Sequence, residues 1–436
     1  MSVFAPVIAE PPVSASPRPL RIAVLVDLQL SAGAGGHVKC WERLAQAATA
    51  FPRALDLTVY FMGHERQLKP IGDNVRYVIE PPVFSTERLP FLSHVPDHTD
   101  LAPWHPRVAQ ALAGHDVIHT TDAYFSYART AMRVSRRRGV PVVNSVHTDT
   151  PQYARIFTTQ TMEHLLGKGR AAQCLIDRLG VPRFAERHML RRLAAHQRAC
   201  ASVLVSRPDQ LASAAALTGG RAGLLRRGVD LDFFTPAKRD RDWLAAKFGI
   251  PQESALILFA GRVNPSKNAM LLAEAVGTLV GRGQKVHLFC AGEGEQRAAI
   301  GARLGSHATC PGNIPPETLA RVYASADLFA FPSPVEECAN VTLEALASGL
   351  PVMVARESGM GRIIVDGKTG FALSADRPFA WARFIDMLAT DPARRATMAQ
   401  QARSYAERQL PSWREVLGED LLPTWQKAAL TPRPAA

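Results

Sequence analysis

The sequence predicts an α/β protein made of two facing Rossmann-like domains with a cleft between them, and three observations carry that prediction. At 436 residues the chain is too long for one ordinary core, so two domains of roughly 200 residues each are the default expectation. Short apolar, β-rich runs alternate with segments of helical spacing almost throughout, the pattern of parallel sheets covered by helices on both faces. Two such series meet near Arg226-Arg-Gly-Val-Asp-Leu-Asp-Phe-Phe-Thr-Pro236. In open sheets of this kind a ligand binds beyond the carboxyl ends of the strands, so the natural site is the space between the two sheets.

In the first series the strands are expected at 21–28, 55–63, 75–80, 117–121, 141–147 and 201–206, with helices at 37–51, 123–138 and 184–200. In the second they are expected at 255–261, 285–292, 308–311, 327–332 and 351–355, again with helices between them. From 378 to 427 apolar and charged residues alternate at helical spacing, which predicts helices that pack back across the domain junction. The resulting division is a disordered tail over 1–19, a first domain over 20–225, a second over 226–405 and a returning C-terminal helix with its tail over 406–436.

Composition narrows the class. An apolar fraction of 47% with 21% charged residues is ordinary for a soluble globular chain. No run of 18 apolar residues is present, and the first apolar run, Ile22-Ala-Val-Leu-Val26, is far too short to span a membrane. The start is rich in Pro, Ser and Ala and lacks a basic stretch ahead of an apolar one, so a signal peptide is not expected and a cytoplasmic location is. The six cysteines form no CxxC pair and have no His at zinc-like spacing, the usage of buried, reduced thiols. The net charge of +12 is uneven. Between Arg155 and Arg198 nine Lys or Arg face three acids, a balance that prefers anionic partners such as acidic lipid headgroups or sugar phosphates. No nucleic-acid motif accompanies it, so no nucleic-acid partner is expected.

Four segments carry chemistry. From Phe331 to Ala355 the chain reads as a strand ending at Pro332, a loop with Glu336, a helix with Asn340 and Glu344, a Gly349-Leu-Pro351 turn and a second strand. Ionised carboxylates accept hydrogen bonds from hydroxyls, which suits polyol recognition, and an acid as surrounded by apolar residues as Glu344 needs a partner. In Leu258-Phe-Ala-Gly-Arg-Val-Asn-Pro-Ser-Lys-Asn268 a strand ends at Gly261, with Arg262 and Lys267 on the loop and the next helix start. An Arg fork and a Lys point charge suit phosphate oxygens. Gly33-Ala-Gly-Gly36 follows the first strand and opens a helix, a turn that lets backbone amides approach a phosphate or sugar. His147 ends the strand in Val143-Asn-Ser-Val-His-Thr-Asp149, and His119, ending the preceding one, competes with it. Asp230-Leu-Asp232 and Asp240-Arg-Asp242 match a D-x-D metal pattern but lie at the domain connection, so no metal is expected.

Phe259–Asn268, the Glu336-to-Glu344 element with Gly349-Leu-Pro351, Asp366-Gly-Lys-Thr-Gly-Phe371 and the linker Arg227-Gly-Val-Asp-Leu-Asp-Phe-Phe234 together resemble the family 4 retaining glycosyltransferases of the GT-B fold, over about residues 20 to 425. The resemblance implies that Arg262 and Lys267 bind the diphosphate of a UDP- or GDP-hexose, Glu344 its ribose and Glu336 its sugar. It places Gly35, Gly36, Gly261 and Asn340 with the donor-binding residues and His147 near the acceptor hydroxyl and the sugar. It implies transfer of the hexose to an acceptor hydroxyl with retention, with no cofactor and no enzymic nucleophile. Ser145–Tyr153 is similar to bacterial enzymes that glycosylate membrane lipids, so a lipid acceptor and a peripheral place on an anionic inner membrane surface, through 155–198, are expected. Transfer to a polysaccharide or soluble acceptor is the alternative. The chain departs from the family at Ala339, where a Gly is usual, at Glu337 and Cys338, and at Ser358-Gly-Met-Gly-Arg362, where a basic residue replaces an acid. These departures keep open a catalytically silent partner subunit, and the shared architecture keeps open a sugar-nucleotide epimerase.

Overall fold

The computed structural model describes residues 18–31, 33–89, 98–167, 169–336 and 339–430. Most of the expected disordered tail, together with Glu337 and Cys338, lies outside them. Arg18 is described, and its guanidinium forks onto Asp116 with both N–O distances 2.7 Å.

The first sheet contains β1 (Leu20–Gln29), β2 (Leu55–Met62), β3 (Gln67–Gly72), β4 (Val75–Glu80), β5 (Val117–Thr120), β6 (Val142–Ser145), β7 (Ser202–Val205) and β8 (Ala222–Leu224) in the order 3-4-2-1-5-6-7-8. The second contains β9 (Ala255–Ala260), β10 (Val286–Ala291), β11 (Ala308–Gly312), β12 (Leu328–Phe331), β13 (Val352–Ala355) and β14 (Gly370–Leu373) in the order 11-10-9-12-13-14. All registers are parallel except β3 with β4. Both sheets therefore confirm the expected class.

β1 shows why the strands read as continuous apolar runs. Ile22, Val24 and Val26 enter one core, shared with Trp41 and Leu44 of the helix Gly36–Ala48. Ala23 and Leu25 enter another, shared with Tyr127 and Ala131 of the helix Ser126–Arg138. With helices on both faces, no position is left for a polar alternation.

Three strands escaped the sequence reading, each for a physical reason. β3 is an exposed antiparallel edge, Gln-Leu-Lys-Pro-Ile-Gly, with the polar residues and Pro that edges favour. β8 has three residues, and β14 begins at Gly370 inside a segment that reads as a turn. The helix Thr150–Leu166 was also unforeseen, although Asp149 caps it and Pro151 stands in its first turn.

The C-terminal segment divides. Met398, Ala402 and Ala406 of the helix Pro392–Gln409 belong to the second core, whereas Val416, Leu417, Leu421, Trp425 and Ala428 complete the first. The crossing falls at 410–413 and is pinned to the domain connection. The Arg226 guanidinium donates to Asp420 at 2.7 and 3.0 Å, and the Val229 amide donates to the Pro411 carbonyl at 3.0 Å. A Cβ on Gly228 would fall 2.7 Å from the backbone of Trp413, so only glycine fits where the two crossing strands of chain touch.

Candidate active site

The second domain builds its half of the site at the carboxyl ends of β9 and β12. After β9, Gly261 takes φ +143, which an L side chain rarely adopts, and its backbone packs beneath the Phe331 ring. The loop after β10 lies directly on it, with the Val263 amide donating to the Glu293 carbonyl at 2.8 Å. Gly261 is thus a packing position that aims Arg262.

Asn264 caps the short turn Pro265–Lys267, and Asn268, in the left-handed region at φ +58, opens the helix Ala269–Val280. Its side-chain amide donates to the Ala375 carbonyl at 2.8 Å, which holds the turn. Lys267 forms an ion pair with Glu336, and its ammonium also lies 3.3 Å from the Tyr153 hydroxyl. Burial by itself lowers the Lys267 pKa, but Glu336 and Tyr153 outweigh burial, so the ammonium titrates above its ordinary value. Ser333 donates to Glu336 at 3.0 Å, and the Gly359 amide donates to the Glu336 carbonyl at 2.8 Å. The Ala339 amide meets the Met360 sulfur at 3.1 Å. Ser358–Arg362 therefore buttresses the loop that carries Glu336.

Glu344 stands apart from that pair, one turn after Asn340 on the helix Asn340–Ala347. Burial pushes its carboxyl up to about 7, against the opposing pull of the neighbouring Tyr323 hydroxyl and of Arg43. Arg43 comes from the first domain's helix Gly36–Ala48. The partner expected for this acid is therefore a tyrosine beneath it and a cation across the cleft.

The first domain faces these groups with its glycine loop. A Cβ on Gly35 would lie 3.0 Å from the Arg262 guanidinium, and one on Gly33 would lie 3.1 Å from the Asn313 side-chain amide. Asn340 donates to the Gly36 carbonyl at 3.4 Å. Arg262, Asn340 and the 33–36 loop, far apart in the chain, thus meet across the cleft.

His147 is buried beside this loop. Its ring stacks on His37 with centroids 4.5 Å apart, and Ser145 Oγ lies 2.6 Å from its Nε2. Burial, with Arg227 and two neighbouring histidines, drives its pKa well below the ordinary value, so the ring is neutral. His119, the competing candidate, is fully buried and also neutral, its pKa lowered by burial to about 3.

The region from 240 to 405 matches the family model described as glycosyl transferases group 1. A D-inositol 3-phosphate glycosyltransferase of Salinispora arenicola is 30% identical over 335 residues, covering 71% of this chain and 70% of its own. The chain belongs to the group 1 glycosyl transferases. A second relative of that activity, from Streptomyces avermitilis, is 30% identical over 322 residues, and there the chain spans 64% of the relative's length. Solved structures agree on the GT-B fold. Anabaena HepE in complex with UDP-glucose superimposes with a TM-score of 0.63 at 18% identity, covering 94% of this chain and 98% of that one. WaaG, a glycosyltransferase of lipopolysaccharide biosynthesis, gives 0.61 at 19% identity, with the same 94% and 98% coverage.

Within this glycosyltransferase the D-x-D patterns are local caps. Asp230 accepts the Phe233 amide at 2.8 Å, and Asp240 accepts the Trp243 amide at 2.9 Å while pairing with Arg321 at 2.7 Å. Arg362 reaches across to Asp209 of the first domain, 2.9 Å away. Sequence reasoning gave no role to Tyr153, Ser333, Asn313 or His37. The cap Asp149 with Pro151 was the signal for Tyr153, since together they start a helix and put it in the first turn. The other three carry no local signal. Of the thiols, Cys40, Cys200 and Cys290 are buried as expected, but Cys174 is exposed.

Proposed function

We propose that this glycosyltransferase transfers a hexose from a UDP- or GDP-sugar to an acceptor hydroxyl with retention of configuration. The observation that supports it best is the meeting of Arg262 with the backbone of the 33–36 loop, 3.0 Å from the place of a Gly35 Cβ. A guanidinium and a glycine-rich turn opposite each other fit a diphosphate between two domains. HepE, of the same fold, has been solved with UDP and glucose.

Arg262 stabilises the negative charge that develops on the departing diphosphate. Lys267 acts through its pairing with Glu336. A donor phosphate competes with that carboxylate for the ammonium, and Glu336 is then left to accept from sugar hydroxyls. Glu344, once ionised, accepts from the ribose. His147 supports the sugar from the first domain. The leaving phosphate takes the acceptor's proton on the face of attack, so the reaction needs no protein nucleophile. Domain closure over the site excludes water and so suppresses donor hydrolysis. The test is titration calorimetry with UDP- and GDP-hexoses followed by product anomer analysis. Binding of neither donor, or an inverted product, overturns the reading.

The acceptor we assign to a membrane lipid. The helices Thr150–Leu166 and Val181–Ala199 pair into a hairpin that leaves Leu179 66% and Phe184 63% exposed, and Leu165 and Leu166 at the end of the first helix are exposed too. Arg170, Arg178, Arg183, Arg187 and Arg191 are exposed on the same unit. Apolar side chains among exposed cations suit an anionic bilayer surface. Among the described residues no helix is long and apolar enough to cross a membrane, so contact is expected at the surface. The names of the inositol-phosphate relatives favour a second reading, a soluble phosphorylated acceptor. Flotation with anionic and neutral vesicles separates the two, since only the lipid reading requires preference for anionic vesicles at low salt.

A further inference from the structure

We infer that Trp425, on the returning C-terminal helix, fixes the tautomer of His147 through His119 and Ser145, so that His147 presents Nδ1–H to the ligand in the cleft. The inference rests on the reading above for what that ligand is, a sugar-nucleotide with oxygen acceptors, but the tautomer itself does not.

Each step follows from which atoms can donate. The Trp425 indole Nε1 only donates, and it lies 2.9 Å from His119 Nδ1, which must therefore accept. His119 is neutral and has one ring proton, so that proton is on Nε2, 2.7 Å from Ser145 Oγ. The serine oxygen accepts it. The only other partner of Ser145 Oγ among the described residues is His147 Nε2, at 2.6 Å, so the serine hydroxyl donates there. His147 is also neutral, and with Nε2 accepting, its proton sits on Nδ1. That Nδ1 is buried and has no hydrogen-bond partner among the described residues. A buried donor left unpaired costs free energy, and a ligand oxygen would satisfy it.

Trp425, His119 and Ser145 are in this account positioning residues. Trp425 is fully buried in the core that β1, β5 and β6 share with the Trp41 helix, so the relay also ties the C-terminal segment to the state of the site. Chains of hydrogen bonds of this kind act as units and are separable only by paired substitutions.

The experiment is nitrogen NMR of the full-length protein labelled at histidine, without ligand and at a pH where free histidines are neutral, the His147 signals being assigned by their loss in His147→Gln. Wild type is expected to show a protonated Nδ1 and a bare Nε2. Trp425→Phe keeps the apolar packing but removes the donor, and Ser145→Ala breaks the relay at its centre. In each, His147 is expected to become a mixture of tautomers, and turnover of the donor should fall about tenfold. The double variant should lose no more than either single one. A wild-type Nε2–H tautomer, or an unchanged tautomer in folded Trp425→Phe and Ser145→Ala, overturns the relay. If the tautomer shifts while turnover and donor affinity stay at wild type, the relay stands and the placing of His147 at the sugar falls. Should Trp425→Phe not fold, Ser145→Ala alone decides.

Discussion

On the second-domain side of the cleft, Lys267, Glu336 and Ser333 form a charged, hydrogen-bonded group, and Arg262 stands on the same loop as Lys267. On the first-domain side, His119, Ser145 and His147 are buried, and both histidines are neutral. The first arrangement responds to charge, because a phosphate can exchange with Glu336 for the same ammonium. The second responds to direction, because neutral rings offer a proton at one atom only. A leaving group that gains negative charge needs the former, and a sugar that must be oriented needs the latter.

Removing Arg262 should break the charged side most severely. In Arg262→Ala the turnover is expected to fall by about 10²- to 10³-fold, as when other fixed electrostatic donors are removed, while thermal unfolding stays near wild type. Arg262→Lys should recover only part of the loss, because a point charge does not fork across two oxygens. Steady-state kinetics with equal turnover in wild type and Arg262→Ala would remove the leaving-group role.

A gentler test leaves Arg262 in place and shifts it. Gly35 has φ −67, which any residue can adopt, so Gly35→Ala carries no backbone strain. The new Cβ would sit 3.0 Å from the guanidinium, the end of a flexible side chain, which must move by a few tenths of an ångström. Donor affinity is expected to weaken about tenfold, the scale of one misplaced charge-assisted hydrogen bond, with stability unchanged. Calorimetry that finds wild-type affinity would show that the guanidinium and the loop do not share a ligand.

The two sides also differ in how they are written in the chain. Glu336, Asn340 and Glu344 fall within nine consecutive residues of one loop and helix, and Arg262 and Lys267 within another short stretch, so spacing alone exposes them. Trp425 and His119 are 306 positions apart, and no local pattern joins them. Buried strands such as β9 and β12 were legible because they are apolar on both faces. β3 was not, because an edge needs neither face apolar. What a sequence conceals here is the pairing of Lys267 with Glu336, since like roles were expected for Lys267 and Arg262 and opposite charges on adjacent loops neutralise each other instead.

Glu344 sharpens the contrast through pH. Its carboxyl is held up at about 7 by burial. Ribose hydroxyls donate to the ionised form, so a bound donor favours ionisation and releases a proton. Affinity for a UDP- or GDP-hexose, whose diphosphate is already ionised, should therefore rise with pH up to about 7 and level off above it. Below 7 the fall approaches tenfold per pH unit at most. In Glu344→Gln this slope should vanish. Titrations across pH 5.5 to 8.5, a window chosen to bracket about 7, check it, and an identical slope in the variant would place the titrating group elsewhere.

The smallest expected effect belongs to Arg362, the basic residue where the family pattern has an acid. Its guanidinium pairs with Asp209 at 2.9 Å, but Asp209 is also held by Arg207 at 2.7 Å, so removing Arg362 leaves no unpaired acid. The pair is largely exposed, and such pairs contribute about 0–1 kcal/mol, screened by salt. Arg362→Ala should change donor affinity by no more than about fivefold at low ionic strength, and by less at high. It acts only by holding the cleft edges together, so Asp209→Asn should match it. A larger loss in Arg362→Ala that Asp209→Asn does not reproduce would mean that Arg362 touches the ligand itself, and the charged side of the site would then extend further along the cleft than Arg262 and Lys267.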